Sequence, residues 1–152
     1  MNKLLNMSRV LKLGLTNNNN QKIKEVSSFD VIANKGVIGD RHFKDYNDPY
    51  CQLSLIESEN IDFYNTKYGL NISYIDFRRN IVTKGVELNN LVGKKFYIGN
   101  VEVEGIDLCR PCRHLNESLN QENIIKEFLR KGGLRCQILN SASIYINDLI
   151  KI

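Results

Sequence analysis

No stretch of this 152-residue chain approaches 18 consecutive apolar residues, the least that a membrane-spanning helix requires. Arg9 and Lys12 interrupt the first sixteen residues, so the apolar core of a secretory signal is missing too, and the expectation is a cytoplasmic protein with no membrane attachment. There is no internal repeat, and the only low-complexity tract is Asn17 to Asn20, which reads as a solvated loop because Asn favours turns over ladders. With 42% hydrophobic and 25% charged residues, disorder, collagen and coiled coil are excluded as the main description. The charge excess is small, 21 Lys+Arg against 17 Asp+Glu for a net +4, and aromatics are not interleaved with basic residues in any one segment. That argues against nucleic acid as a partner but suits an anionic ligand. Cysteine is sparse, at positions 51, 109, 112 and 136, and in a reducing compartment the even count carries no disulfide message. Thiol chemistry or metal binding becomes the question.

What is present fits one domain spanning residues 1–152. A mass of 17.5 kDa exposes about 25,000 Å² unfolded and about 8,000 Å² folded, enough burial for a core that stands alone. Apolar residues alternate at Leu11, Leu13 and Leu15, at Cys51, Leu53 and Leu55, and at Val101 and Val103 opposite Glu102 and Glu104. Further strands are predicted over Ser28 to Ala33, Arg79 to Thr83, Lys95 to Ile98, Leu134 to Leu139 and Ile144 to Ile146, with Gly99-Asn100 as a hairpin turn. Two segments carry a helical period. One runs from about Glu57 to Lys67, capped by Ser54 or Ser58 and ended by Gly69; the other starts at Asn120, carries the stripe Ile124, Ile125, Phe128 and Leu129, and stops at Gly132-Gly133. Seven or eight short strands with two inserted helices predict a mostly β fold, a closed or nearly closed β-barrel, since closure removes exposed edges. Asn34 to Tyr50 and Cys109 to Asn120 read as irregular.

Those irregular segments carry the chemistry. Cys109-Arg110-Pro111-Cys112-Arg113-His114 places two thiols and an imidazole in six residues, with Pro111 stiffening the bend and cationic neighbours that favour thiolate. Read from the residues alone, it suits a zinc site completed by Cys136 or His42, a redox dithiol, a single reactive or metal-ligating cysteine, or buried cysteines with no chemistry. Gly36-Val37-Ile38-Gly39-Asp40-Arg41-His42 offers a tight backbone, an acceptor, a planar cation and a titratable ring, or equally a turn held by an Asp40–Arg41 pair. Arg78-Arg79-Asn80 opens a predicted strand, so one arginine at most is expected to face a given cavity while the other is solvated. Gly132-Gly133 with Arg135 can bind an anion through backbone amides, or simply stop a helix.

The order of these pieces is more specific than any one of them. Gly36 to His42, then Gln52 to Ile56, Arg78 to Thr83, Leu91-Val92-Gly93 with Phe96 to Gly99, Cys109 to Cys112, and Gly132-Gly133-Leu134 together resemble the MOSC domain, the C-terminal module of molybdenum cofactor sulfurases, from about residue 28 onward. Ile144 to Asp148 looks like the family's closing Gly-Asp turn with Asn147 in place of glycine, a residue that tolerates the left-handed conformation. The resemblance implies a MOSC-like barrel that binds the molybdenum cofactor (molybdopterin) or handles its sulfur. It places the family's reactive cysteine, a molybdenum ligand or persulfide carrier, at Cys112, and it points to Gly39, Asp40, Arg41, His42, Arg79, Asn80, Gly132, Gly133 and Arg135 around the cofactor. It implies a small oxidoreductase component acting on N-hydroxylated compounds or a sulfur carrier, with a non-catalytic cofactor-binding or delivery module as the alternative. A free-standing domain of this size is expected to depend on a sulfur donor or an electron-transfer protein.

Overall fold

Most of the alternating apolar residues form the inner face of a curled sheet, but Leu11 does not share a face with Leu13 and Leu15: a bulge between Val10 and Lys12 turns it to the outer core, and Val10 faces inward instead. The computed structural model describes residues 7–111 and 113–152, and among these are eleven strands: β1 (Arg9–Leu15), β2 (Lys24–Val26), β3 (Ser28–Ile32), β4 (Gly36–Val37), β5 (Leu53–Glu57), β6 (Ile81–Lys84), β7 (Lys95–Ile98), β8 (Val101–Leu108), β9 (Leu134–Ile138), β10 (Ala142–Tyr145) and β11 (Ile150–Lys151). Eight of them make one sheet in the order β11-β7-β8-β9-β5-β6-β1-β2, and β10-β3-β4 make a second. The large sheet bends round until its ends meet. Val10 N–H donates to Asp148 O, Asn147 N–H to Val10 O and Ile150 N–H to Ser8 O, each at 2.9 Å, so β1 is tied to the segment leading into β11. The barrel is therefore nearly closed, and its interior holds Leu13, Leu55, Ile81, Phe96, Val103 and Cys136, all buried.

All strand pairs are antiparallel except β5–β6, which run parallel. A parallel pair needs a crossover, and here it contains α1 (Ser58–Tyr68). Two short helices, α2 (Arg113–Leu119) and α3 (Ile124–Glu127), lie between β8 and β9. They join α1 in a second core outside the barrel, where Ile56 of β5 and Val82 of β6 meet Ile61, Tyr64, Phe77, Leu115, Ile124 and Phe128. Phe128 sits centrally, its ring centroid 5.0 Å from that of Phe77 and 5.4 Å from that of Tyr64, tilted contacts that add to the apolar burial. Because β5 and β6 are covered on both faces, Leu55 and Ile81 point inward while their neighbours Ile56 and Val82 pack outward.

Several expectations are corrected. Cys109 to Asn120 is not wholly irregular, since it contains α2. The second predicted helix reduces to a single turn: Asn120 has φ 52 and follows the end of α2, Asn123 occupies the cap position of α3, and Arg130 turns left-handed at φ 63 before the glycines are reached. Of its expected stripe, Ile124 and Phe128 are buried, whereas Ile125 and Leu129 are 44% and 67% exposed. Neither Ser54 nor Ser58 caps α1, whose cap residue is Glu57 with no side-chain bond; Gly69 does end it, at φ 62, with its N–H directed at the carbonyls of Asn65 and Thr66. The hairpin at Gly99-Asn100 and the left-handed Asn147, at φ 71, are as expected.

Candidate functional site: an arginine-lined cavity at one barrel edge

Five neighbouring strands, β8, β9, β5, β6 and β1, bring their ends to one edge of the barrel, and the loops leaving them enclose a cavity of about 300 Å³. Five arginines line it: Arg41, Arg78, Arg79, Arg110 and Arg135. Cys109 and Cys51 share the wall with His42, Ser54, Asn80, Tyr50 and Leu53.

The floor is a network centred on Asn80, which is 4% exposed and immediately precedes β6. Its Oδ1 accepts from the Ser54 N–H at 3.1 Å and from Ser54 Oγ at 3.3 Å, and its Nδ2 donates to Gly14 O at 3.3 Å. Its own N–H donates to Ser54 Oγ at 3.2 Å. The starts of β5 and β6 and the end of β1 are thereby held together through one amide.

Asp40 holds the Arg41 end. Its carboxylate is buried, accepting from the Thr16 N–H at 3.2 Å and the His42 N–H at 3.3 Å, and pairing with Arg41 Nη1 at 3.3 Å. Arg41 N–H donates to Thr16 O at 2.7 Å, and Arg41 Nη2 to Arg78 O at 3.4 Å. Arg78 sends Nη1 to Gln21 O at 2.8 Å and Nη2 to Asn19 O at 3.1 Å, fastening the Asn-rich loop. Burial lowers the Arg41 pKa, and Arg78 and Arg79 add to the effect while Asp40 opposes it; Arg78 is also lowered, again mainly by burial. The His42 ring, with Nδ1 3.7 Å from Asp40 Oδ2, is pushed below its ordinary value first by burial and then by Arg41, against the pull of Asp40. Near neutral pH it is therefore an uncharged imidazole.

On the other side, Arg79 Nε donates to Gly132 O at 3.0 Å. Arg135, on β9, has Nε 3.6 Å from Asp107 Oδ1, and that oxygen is buried without a hydrogen-bond partner. Arg110 is exposed and makes no hydrogen bond or ion pair among the described residues.

Both Arg78 and Arg79 face the cavity, contrary to the expectation of one. The alternation argument assumed a strand, but β6 starts only at Ile81, and Arg78 stands in the left-handed region at φ 65, so the two side chains do not diverge. Of the other anticipated residues, Arg41, His42, Asn80 and Arg135 come together here. Gly39 is exposed at φ 89, and Asp40 lies behind the wall as a brace. Gly132 and Gly133 are packing elements rather than cavity lining: a Cβ at Gly132 would stand 2.5 Å from Cys109 O, and one at Gly133, where φ is +112, would stand 1.9 Å from Leu55 O. Cys112 and the side chain of Arg113 lie outside the described residues. Cys136 faces the barrel interior, fully buried, with its thiol pKa pushed well up by that burial. Sequence reading missed Tyr50 and Cys51 as wall residues; the alternation of Cys51, Leu53 and Leu55 predicts one strand, which in the structure begins only at Leu53.

The fold has clear relatives. The YuaD protein from Bacillus subtilis superposes with a TM-score of 0.80 at 17% identity, covering 95% of this chain and 94% of that one. YiiM from Geobacillus stearothermophilus gives 0.77 at 13% identity over 95% and 74%, and YiiM from Escherichia coli gives 0.69 at 16% over 94% and 68%. No curated protein matches the sequence. The sequence of residues 39–151, from the loop carrying Asp40 to β11, matches the MOSC domain, and the chain belongs to that family, which is associated with molybdenum-cofactor binding.

Proposed function

We propose that the arginine-lined cavity holds the molybdenum cofactor and that the chain serves as the cofactor-bearing component of a reductase acting on N-hydroxylated compounds. The observation that carries this reading is the gathering of five guanidinium groups and two thiols on the wall of one cavity. Buried or half-buried cations that repel one another call for an anion, and guanidinium forks suit the phosphate of the pterin. The thiols suit a thiophilic metal. A volume of about 300 Å³ lies at the lower end of the range for small-molecule sites. A sulfur carrier needs only one thiol and an approach to it, so a basic cavity of this extent favours a resident cofactor over the carrier reading.

Arg41 and Arg79 would hold the group from the sides, with Asn80 beneath. Cys112 is the proposed molybdenum ligand. When bound, the group supplies a metal centre able to take up electrons in pairs. Reduction of an N–OH group to N–H consumes two electrons and two protons and releases water; the electrons require an electron-transfer protein. A neutral His42 at the cavity wall presents a ring nitrogen that can accept a hydrogen bond or a proton. We place no nucleic acid or membrane among the partners.

The test is the molybdenum and pterin content of the protein purified from a cofactor-competent host, with Cys112→Ser alongside. About one molybdenum and one pterin per chain, lost in the variant, is the expected result. Protein with neither overturns the proposal. Cyanide-labile sulfur without metal would establish the carrier with its sulfur donor instead, and cofactor binding without turnover in a reconstituted assay would establish a delivery module.

A further inference from the structure

The positive charge of the cavity is divided along the strand order, and we infer that the cavity contains two anion subsites, the second formed by Arg110 and Arg135 and specific for a carboxylate or phosphate group. Across the edge the order is β8-β9-β5-β6-β1. Arg135 is on β9 and Arg110 is two residues beyond the end of β8, whereas Arg41 is tied to Thr16, just past β1, and Arg78 is bonded to Arg41 through its carbonyl. Strands lie about 4.8 Å apart, so the three steps from β9 to β1 separate the two groups by roughly 14 Å at the backbone. Asn80 and Ser54 fill the middle, and Arg79 is anchored there to Gly132 O.

The two ends differ in what their nitrogens already do. At the β1 end, Arg41 and Arg78 together spend four terminal nitrogens on Asp40 and on backbone carbonyls. At the β8–β9 end, Arg135 engages only Nε, at the long distance of 3.6 Å, and Arg110 engages nothing among the described residues. Two open forks beside one carboxylate are the arrangement that recognises an oxyanion through paired N–H donors. Charge points the same way. Among the described residues ion pairs reach only Arg41 and Arg135 of the five arginines, and Asp76 also attracts Arg78, which leaves Arg79 and Arg110 without a carboxylate partner.

The existence of the second subsite stands on these residues alone. Its role, anchoring an acidic group on the N-hydroxylated substrate near Cys109, rests on the cofactor reading above.

The probe is inorganic phosphate, titrated calorimetrically into the full chain, with the Arg135 Nε–H followed by NMR. Protein free of cofactor should bind two phosphates, and Arg135→Gln with Arg110→Gln should bind one. Arg135→Lys, which keeps the charge but not the fork, should weaken that site about tenfold or more without changing the thermal midpoint, which separates recognition from misfolding. Protein carrying the cofactor should bind a single phosphate and shift the Arg135 signal, and the double Gln variant should retain its molybdenum and pterin. One phosphate site in cofactor-free wild type, or a double variant that keeps both, overturns the inference. Two phosphate sites in a protein that never acquires molybdenum or pterin would uphold the subsites while removing the cofactor proposal.

Discussion

Asn80→Ala is the sharpest check on how the cavity floor is built. The substitution deletes three side-chain hydrogen bonds, two accepted from Ser54 and one donated to Gly14 O. It strands the Ser54 N–H and the Gly14 carbonyl at a position only 4% exposed. At about 1 kcal/mol per neutral bond, with a further penalty for buried groups left unpaired, the expected loss is about 3 kcal/mol. In a chain of this length that lowers the melting midpoint by about 6 to 12 °C. Urea unfolding followed by circular dichroism should show a lower midpoint concentration with the slope unchanged, since the native fold and the surface exposed on unfolding are retained. Because Ser54 Oγ also accepts from the Asn80 N–H, Ser54→Ala should not add independently. A double-mutant cycle should return a coupling of about 1 kcal/mol. A loss below about 1 kcal/mol for Asn80→Ala, or strict additivity with Ser54→Ala, would refute the claim that this amide joins three strands.

Three other outcomes follow from the same geometry. Gly133→Ala places a methyl 1.9 Å from Leu55 O at φ +112 and should cost more than about 3 kcal/mol or abolish soluble expression, whereas Gly69→Ala, at φ +62 with nothing within 4 Å, should cost only about 1 kcal/mol by thermal melting. His42, whose ring pKa is depressed in the folded protein by burial and by Arg41, binds fewer protons folded than unfolded. Stability should therefore be full above the unfolded value near 6.5 and fall as pH drops toward the folded value. Urea midpoints from pH 8 to 5 should show that slope, and His42→Gln should flatten it. The Cys136 thiol, buried and with its pKa raised, should resist iodoacetamide in the native protein and react only on unfolding, as mass spectrometry of labelled peptides would show.

The strands were legible where the barrel has one wet and one dry face, so that Val101 to Glu104 alternate as a half-buried strand must; at Leu11 the alternation fails because a bulge after Val10 reverses the face. The elements that were missed lack enough residues to show a period. In α2 the buried signal is Leu115, with Leu119 partly buried one turn on, and β4 and β11 have two residues each. The glycine pair at 132–133 looked like a helix stop, yet its cause is tertiary: the Cys109 and Leu55 carbonyls occupy the space a side chain would need. Arg78 misled for a similar reason, since a left-handed non-glycine residue has no local signature. Residues 41, 51, 79, 109 and 135 are remote in sequence, and no period or spacing joins them. Only the order of the surrounding motifs suggested a common site, and it could not say which residues brace the wall and which remain free.

That distinction explains how so much like charge is tolerated on one edge of a small barrel. At the β1 end the guanidinium hydrogens are directed at fixed acceptors: Asp40 and the carbonyls of Arg78, Gln21 and Asn19. Carbonyl dipoles partly replace the water these cations lose, at little cost in geometry, because Arg78 itself adopts φ 65 and so turns its own carbonyl toward Arg41. A left-handed arginine costs about 1 kcal/mol or more in backbone strain, which the four donor contacts offset. The open end needs no such arrangement, because Arg110 reaches solvent and Arg135 leans on Asp107. Arginines with their donors committed set a fixed positive potential, while those with free forks remain available for direct contact. The same side chain thus does two different jobs at the two ends of the cavity.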